Sequence, residues 1–248
     1  MLILGDIGNS EIKIFLVNQE GKIVNKTNLS SRGITKLILN KKFKILTTDF
    51  RNIKKILFCS VVPKNFQLIK KFISKKTKIK CYEIKELNLK SVLKINANFK
   101  QVGSDRLANA ISLVNNKDNF IILDFGTATT FDVITGKTYN GGVIAPGVNI
   151  SLNTLSDMAS LIPKINLKKV KKVIGIDTNT AVRSGFFWGY AGLIDNIINL
   201  IKKETRKKYK VIITGGFSNL FKESIKAKVI ESKDITIKGL IKISKLIN

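Results

Sequence analysis

Histidine is absent from all 248 positions. That absence excludes Ser-His-Asp and Cys-His nucleophile pairs and any histidine general base. Cysteine occurs only at 59 and 81. A structural zinc site is therefore not expected, and two free thiols in a reducing cytoplasm fit better than a Cys59–Cys81 bridge. Long apolar runs are missing, the longest falling well short of the roughly 20 residues a membrane helix needs. The N-terminus lacks a basic segment followed by an apolar core, so neither insertion nor export is expected. Flexible or low-complexity tracts are missing as well. Chemistry must run on carboxylates, backbone amides, Lys or Arg, and metal ions.

Acidic residues are scarce too. Seventeen Asp and Glu against 44 Lys and Arg leave a net charge of +27, which raises the question of a nucleic-acid partner. The lysines are spread through "KKFKIL", "KKFISKKTKIK" and "IKKETRKKYK", on what read as polar helix faces and turns. No aromatic residues interleave with them as a stacking platform requires. A solvated basic surface is the reading favoured, with no nucleic-acid partner, although the charge suits anionic substrates.

A chain of this length builds one large domain or two ordinary ones. Residues 2–8 and 11–17 read as strands around a polar turn, and 120–134 repeats that theme with a second hairpin. "KILFCSVVP" (55–63) reads as a buried strand ended by Pro63, with a helix following. Leu107, Ala110, Ile111 and Val114 recur at helical spacing within 104–115, with Ser104 as the expected cap. In 184–204, Phe187, Tyr190, Ile194, Ile197 and Ile201 share one helical face. "KVIITGG" (210–216) reads as a strand entering a glycine turn. Two α/β halves follow, 1–115 and 116–248, each opening with strand–turn–strand.

The two hairpin turns carry the polar residues. Asp6, Gly8, Asn9 and Ser10 interrupt the first, and Asp124, Gly126, Thr127 and Thr129 the second. Gly and small hydroxyl residues let backbone N–H groups approach phosphate oxygens, and an Asp ending a strand can hold a cation. Either turn alone is ordinary hairpin chemistry; two of them, one opening each half, suggest a phosphate clamp. "DFG" (124–126) superficially matches the protein-kinase metal motif, but no His-Arg-Asp loop or glycine-rich loop accompanies it. Walker A is also absent. In "GSDRLAN" (103–109), Asp105 sits in the first turn of the expected helix, where the dipole favours its ionised form. Arg106 beside it can grip a carboxylate in a bidentate fork. A base near an attacking alcohol and a clamp on the substrate's other end is what hydroxyl phosphorylation needs, though an Asp–Arg pair at a helix start is also a common structural device.

The motifs "DIGNS", "SVVP", "GSDRLAN", "DFGTATTFD", "GGVIAPG" (141–147), "LIP" (161–163), "GIDTNTAVRSG" (175–185) and "TGG" (214–216) follow one another along nearly the whole chain. In order and spacing the sequence resembles the type III pantothenate kinases. The resemblance implies an α/β fold of the acetate and sugar kinase, heat-shock chaperone and actin superfamily. Such a fold has two ribonuclease-H-like domains with mixed sheets flanked by helices, and a nucleotide cleft between them. It implies transfer of the γ-phosphoryl group of ATP to pantothenate, the first step towards coenzyme A, in a cytoplasmic homodimer without membrane attachment. The helix at 184–204 is a candidate interface, packing within its own domain being the other possibility.

Carried onto this chain, the resemblance makes Asp6, Ile7, Gly8, Asn9, Ser10, Glu11, Ile12 and Lys13 the first phosphate loop, with Asp6 also near Mg²⁺. Asp124 would seat a monovalent cation, K⁺ or ammonium. Thr127 would touch ATP phosphates, and Gly215 and Gly216 would lie near the adenosine. Gly103, Ser104, Asp105 and Arg106 would hold pantothenate, with Asp105 as proton acceptor, Arg106 on the carboxylate side and Thr178 as a further contact. One position departs from the pattern: Asn96 stands where the family commonly has a tyrosine lining the pantothenate pocket. Either Phe99 supplies the apolar wall or pantothenate binds less tightly. A related small-molecule kinase, or a regulatory or nucleic-acid-associated protein on the same scaffold, are the alternative readings.

Overall fold

The computed structural model describes residues 1–47 and 49–247. The chain divides into two compact units: Met1–Val114 with Lys137–Tyr139 and Asp234–Asn248, and Asn115–Gly136 with Asn140–Lys233.

In the first unit, β1 (Leu2–Ile7) and β2 (Glu11–Val17) form the expected hairpin, and β3 (Ile23–Ser30) extends it. Helix α1 (Lys36–Leu46) is followed by β4 (Lys55–Ser60), which pairs in parallel with β1. Pro63 does not merely end the strand: it occupies the first turn of α2 (Pro63–Ile73), where a missing N–H costs nothing. Strand β5 (Cys81–Glu83) completes the sheet, in the order β3-β2-β1-β4-β5. A two-residue strand, β6 (Lys94–Ile95), runs parallel to Thr138 and Tyr139.

Strand alternation assigns the two faces of this sheet. Ile3, Ile7, Ile56 and Phe58 join one buried cluster with Leu39 and Phe43 of α1 and Phe66, Ile69 and Phe72 of α2. The opposite face meets α3 (Ser104–Leu113) and the C-terminal helix, Ile235–Ser244. The sequence reading placed residues 116–248 together, whereas Asp234–Asn248 belongs to the first unit. Gly239 makes this possible, because a Cβ there would lie 1.9 Å from the Ala108 carbonyl oxygen. Only a bare backbone lets the C-terminal helix approach α3 so closely.

The second unit opens with β7 (Asn119–Phe125) and β8 (Ala128–Thr135), an antiparallel hairpin. Strand β9 (Thr138–Pro146) and α4 (Val148–Met158) follow, then the long α5 (Thr178–Thr205), β10 (Lys210–Gly215), α6 (Ser218–Phe221) and β11 (Val229–Glu231). Within this unit the strand order is β11-β10-β7-β8-β9, with Thr138 and Tyr139 of β9 counted in the first unit and β10 parallel to β7. Helix α5 begins earlier than the apolar pattern indicated, because Asp177 forms a capping box with Thr180. Its Phe187, Tyr190, Ala191, Ile194, Ile198 and Ile201 pack into the unit's own core, with Ile197 only partly buried. The face of 184–204 offered as an interface is thus occupied within its own domain. Among the described residues, no helix is long and apolar enough to cross a membrane.

Candidate active site

In the first hairpin, Ile7 and Ile12 face each other and are fully buried. Their side chains are core, so within 6–13 only the remaining residues can present polar side chains to a ligand. Gly8 donates its N–H to the Glu11 carbonyl at 3.0 Å, closing the turn. That amide is used within the turn, and Asn9 and Ser10 form the exposed tip. Lys13 is exposed and lies 3.7 Å from Glu11. Ser31, which carried no sequence signal, ties the tip down: its hydroxyl donates to the Gly8 carbonyl at 2.5 Å and its N–H to the Ser10 carbonyl at 3.0 Å. Asn65 in turn donates to the Ser31 carbonyl at 2.9 Å.

Asp6 sits on the strand face opposite Ile3 and Ile7, beside Cys59 on β4. The Cys59 thiol, fully buried, donates to Asp6 Oδ1 at 3.4 Å. Burial first, then the negative charges of Asp6 and Asp105, push that thiol well above its ordinary pKa. Cys59 therefore stays a neutral donor. The end of β4 brings the Asp6 strand and the start of α3 together: Val61 donates its N–H to the Ile7 carbonyl at 3.0 Å, and its Cγ1 would lie 3.4 Å from a Cβ on Gly103. Both cysteines are free and buried.

Helix α3 starts one residue away from the expected cap. Gly103 is the N-cap without a side-chain hydrogen bond, and Ser104 is the first helical residue. Its hydroxyl instead hydrogen-bonds Glu83. Asp105 folds back over the helix start: Oδ1 accepts from the Arg106 N–H at 2.8 Å and would lie 2.5 Å from a Cβ on Gly103. Burial is the largest influence on Asp105 and pushes its carboxyl up, outweighing the Arg106 amide and guanidinium. The dipole was expected to favour the ionised form; desolvation prevails instead. A carboxylate raised in this way is a better proton acceptor. Arg106 is half-buried, whereas Asn96 is exposed with its N–H donated to the Tyr139 carbonyl at 2.9 Å. Phe99 is partly buried under the Lys85 ammonium, 5.5 Å from its ring centre.

In the second unit the polar turn closes with Gly126 donating to the Ala128 carbonyl at 3.1 Å. Asp124 pairs with Thr130 on β8 and with Thr214 on β10, so three polar side chains share one face of the sheet. Asp132, fully buried, lies on that face two residues further along β8. The alternation Thr130–Asp132 was the available sequence signal for it. Thr129, read as a possible phosphate contact, pairs with Phe125 and is fully buried. It faces the core, because alternate strand residues cannot all face the turn. Phe125 itself stacks on Phe221, with ring centres 5.2 Å apart, so "DFG" here is the end of a core strand.

Thr127 is exposed at the tip. Gly147, the N-cap of α4, rests against it so closely that a Cβ would lie 2.0 Å from the Thr127 carbonyl oxygen. Gly215 has φ +89°, a left-handed conformation suited to glycine, and a Cβ there would meet the Phe125 backbone at 2.5 Å. Gly216 donates to the Phe125 carbonyl at 3.0 Å. Residues distant in sequence (Asp124, Thr127, Gly147, Gly215 and Gly216) therefore converge on the carboxyl end of β7, where ligands of open α/β sheets commonly bind. Thr178 is exposed at the first position of α5 and belongs to this unit, whereas Gly103–Arg106 belong to the other.

No group of three or more His, Cys, Asp or Glu residues able to hold a metal occurs among the described residues. The donor set nevertheless suits Mg²⁺ bound with a nucleotide, which takes one or two carboxylates and leaves its other positions to phosphates and water.

Two mixed sheets flanked by helices, with their two hairpins and converging glycine turns, define an α/β protein with the fold of actin-like ATPases and sugar kinases. Its fold is similar to that of a ROK family glucokinase of Streptomyces griseus in complex with glucose and AMPPNP, with TM-score 0.55, 12% identity, and 99% of this chain and 98% of that one covered. It is similar also to a conserved protein of Campylobacter jejuni provisionally named a Baf family transcriptional activator, with TM-score 0.62, 19% identity, and 98% and 97% covered. At these identities the likeness shows the fold alone. The family model for type III pantothenate kinase matches residues 2–200. A type III pantothenate kinase of Pelagibacter ubique is 63% identical over 247 residues, covering 100% of both chains. The chain belongs to the type III pantothenate kinase family.

Proposed function

We propose that this enzyme transfers the γ-phosphoryl group of ATP to the primary hydroxyl of pantothenate, giving 4'-phosphopantothenate, the first step of coenzyme A biosynthesis. The observation that carries this reading is Asp105 at the start of α3. It is a carboxylate made more basic by burial, on a helix start that Val61 of β4 ties to the end of the Asp6 strand, in a chain 63% identical throughout to a type III pantothenate kinase.

In the reaction, Asp105 accepts the proton of the attacking hydroxyl while Arg106 holds the pantothenate carboxylate. Ser104 and Gly103 complete the substrate loop, and Thr178 provides a further contact. Asn9 and Ser10 at the first turn, and Thr127 at the second, position the phosphates; Gly215 and Gly216 leave room for the adenosine. Phosphoryl transfer needs little covalent help, so positioning and charge neutralisation supply most of the acceleration. Asp6 would hold Mg²⁺ and Asp124 a monovalent cation, and these ions neutralise phosphate charge when bound.

A homodimer fits the second unit, where Ile144, Ile150, Met158, Leu161, Ile174 and Ile176 are exposed. Exposed large apolar side chains of this kind suit burial against a second copy. Two free cysteines fit a cytoplasmic enzyme. The test is coupled ADP release with ATP and Mg²⁺, with and without pantothenate, in K⁺ and in Na⁺. Pantothenate-dependent, K⁺-stimulated turnover is expected; ADP release indifferent to pantothenate would reject the substrate.

A further inference from the structure

The carboxylate of Glu83 lies outside every motif and is mostly buried, yet two distant segments and its own turn meet on it. Oε1 accepts the Ser60 N–H at the end of β4, at 3.3 Å. Oε2 accepts the Lys85 N–H, at 2.7 Å, in the short turn after β5. The Ser104 hydroxyl, 2% exposed at the first position of α3, is the third donor. Burial leaves the Glu83 carboxyl above its usual range, with the hydrogen bonds from Ser104, Lys85 and Ser60 pulling it part of the way back. The Ser60 and Lys85 N–H groups only donate, so each carboxyl oxygen serves as an acceptor.

The sheet already joins β1 to β4 at Ile7 and Ser60, and β4 to β5 at Phe58 and Glu83; the Ser104 bond adds the start of α3 to them. Val61, next to Ser60, donates its N–H to the Ile7 carbonyl at 3.0 Å, at the base of the first turn. Its Cγ1 would lie 3.4 Å from a Cβ on Gly103. Ser104 leads directly into Asp105. A two-step path therefore runs from the Asp6 hairpin through the end of β4 to Glu83, and from Glu83 to the residue before Asp105.

We propose that Glu83 is a positioning residue. It fixes the start of α3 against the end of β4 and so holds Asp105 at the distance from the Asp6 hairpin that phosphoryl transfer requires. The proposal rests on the assignment of Asp105 and the pantothenate loop made above. It predicts an effect on turnover rather than on nucleotide affinity, because Glu83 acts through Asp105 and its carboxylate is taken up by the Ser60, Lys85 and Ser104 donors.

The experiment compares Glu83→Gln, Ser104→Ala and the double variant, each first checked for wild-type secondary structure and thermal midpoint. Gln preserves the shape but puts an NH₂ where one oxygen accepts. The expected result is a kcat for Glu83→Gln lower by on the order of tenfold, consistent with loss of orientation, with KM for ATP within about twofold. Ser104→Ala should act in the same direction, and the double variant should be no worse than the poorer single one, as expected for residues on one path. Amide hydrogen exchange at 104–106 should accelerate in Glu83→Gln, a readout that does not depend on the substrate being pantothenate. Wild-type kcat and unchanged exchange in a folded Glu83→Gln would overturn the proposal, as would losses that multiply in the double variant. If wild type itself turns over no pantothenate, the substrate assignment fails. The exchange measurement then decides the buttress alone: faster exchange supports it and unchanged exchange overturns it.

Discussion

Gly239→Ala sets two effects of opposite sign against each other. Gly239 lies inside the C-terminal helix, where replacing Gly by Ala raises helix stability by about 1 kcal/mol. Opposing this, the new Cβ would sit 1.9 Å from the Ala108 carbonyl oxygen, where ordinary contact begins at 3.4 Å. The helix must retreat by about 1.5 Å, and it meets backbone rather than a side chain that could rotate away. Overpacking of this kind costs about 1–3 kcal/mol, and a backbone neighbour puts the cost at the upper end. The clash wins, with a net loss of about 1–2 kcal/mol. For a chain of this size that lowers the thermal midpoint by about 2–8 °C. Ala108 is one turn beyond Asp105 on α3, so turnover should fall as well. Gly192→Ala is the control: its position on α5 is exposed with nothing within 4 Å of the added carbon, so propensity acts alone and the midpoint should rise. Differential scanning calorimetry of both variants decides the matter. A midpoint for Gly239→Ala equal to or above wild type would refute the packing argument.

Asp105→Asn should lower kcat by about 10²–10⁴-fold, the range for loss of a general base, while raising the thermal midpoint at pH 7. The sign follows from linkage: a folded-state carboxyl raised above its unfolded value contributes stability at low pH that is lost as pH rises through the folded pKa. The midpoint advantage of Asn should therefore vanish in acid, and a lower midpoint at neutral pH would contradict the burial argument. Asp124→Asn should increase the K⁺ concentration needed for half-maximal turnover; an unchanged K⁺ response would remove Asp124 from the cation site. Cys59 and Cys81 should resist thiol reagents until the protein unfolds, since both are buried and burial pushes Cys81 up to about 12. Stoichiometric labelling of the native enzyme at neutral pH would show that the fold opens there.

Much of this protein is legible in local sequence. The two hairpins, the strand into Pro63 and the apolar face of α5 follow from alternation, helical spacing and turn chemistry, each within a few residues. Motif order supplied the family, and the absence of histidine narrowed the chemistry to carboxylates and backbone. Local pattern could not tell which polar turn residues remain available. Gly8 spends its N–H on Glu11, Thr129 turns inward with Phe125, and Ile7 and Ile12 are core. These outcomes depend on register, which is fixed only when the strands pair.

Other features depend on segments far apart in the chain. The return of Asp234–Asn248 to the first unit hinges on Gly239 meeting Ala108, and a lone glycine in a helical pattern does not name its neighbour. Ser31 and Glu83 belong to no motif; they matter because folding places the Gly8–Ser10 tip and the start of α3 against them. The raised pKa of Asp105 is likewise tertiary, because sequence gives the helix dipole that lowers it and only packing gives the desolvation that raises it. The sequence by itself determined which side chains and turns the chemistry would draw on. Tertiary structure decided which of them are buried, which are already hydrogen-bonded, and what holds Asp105 in place.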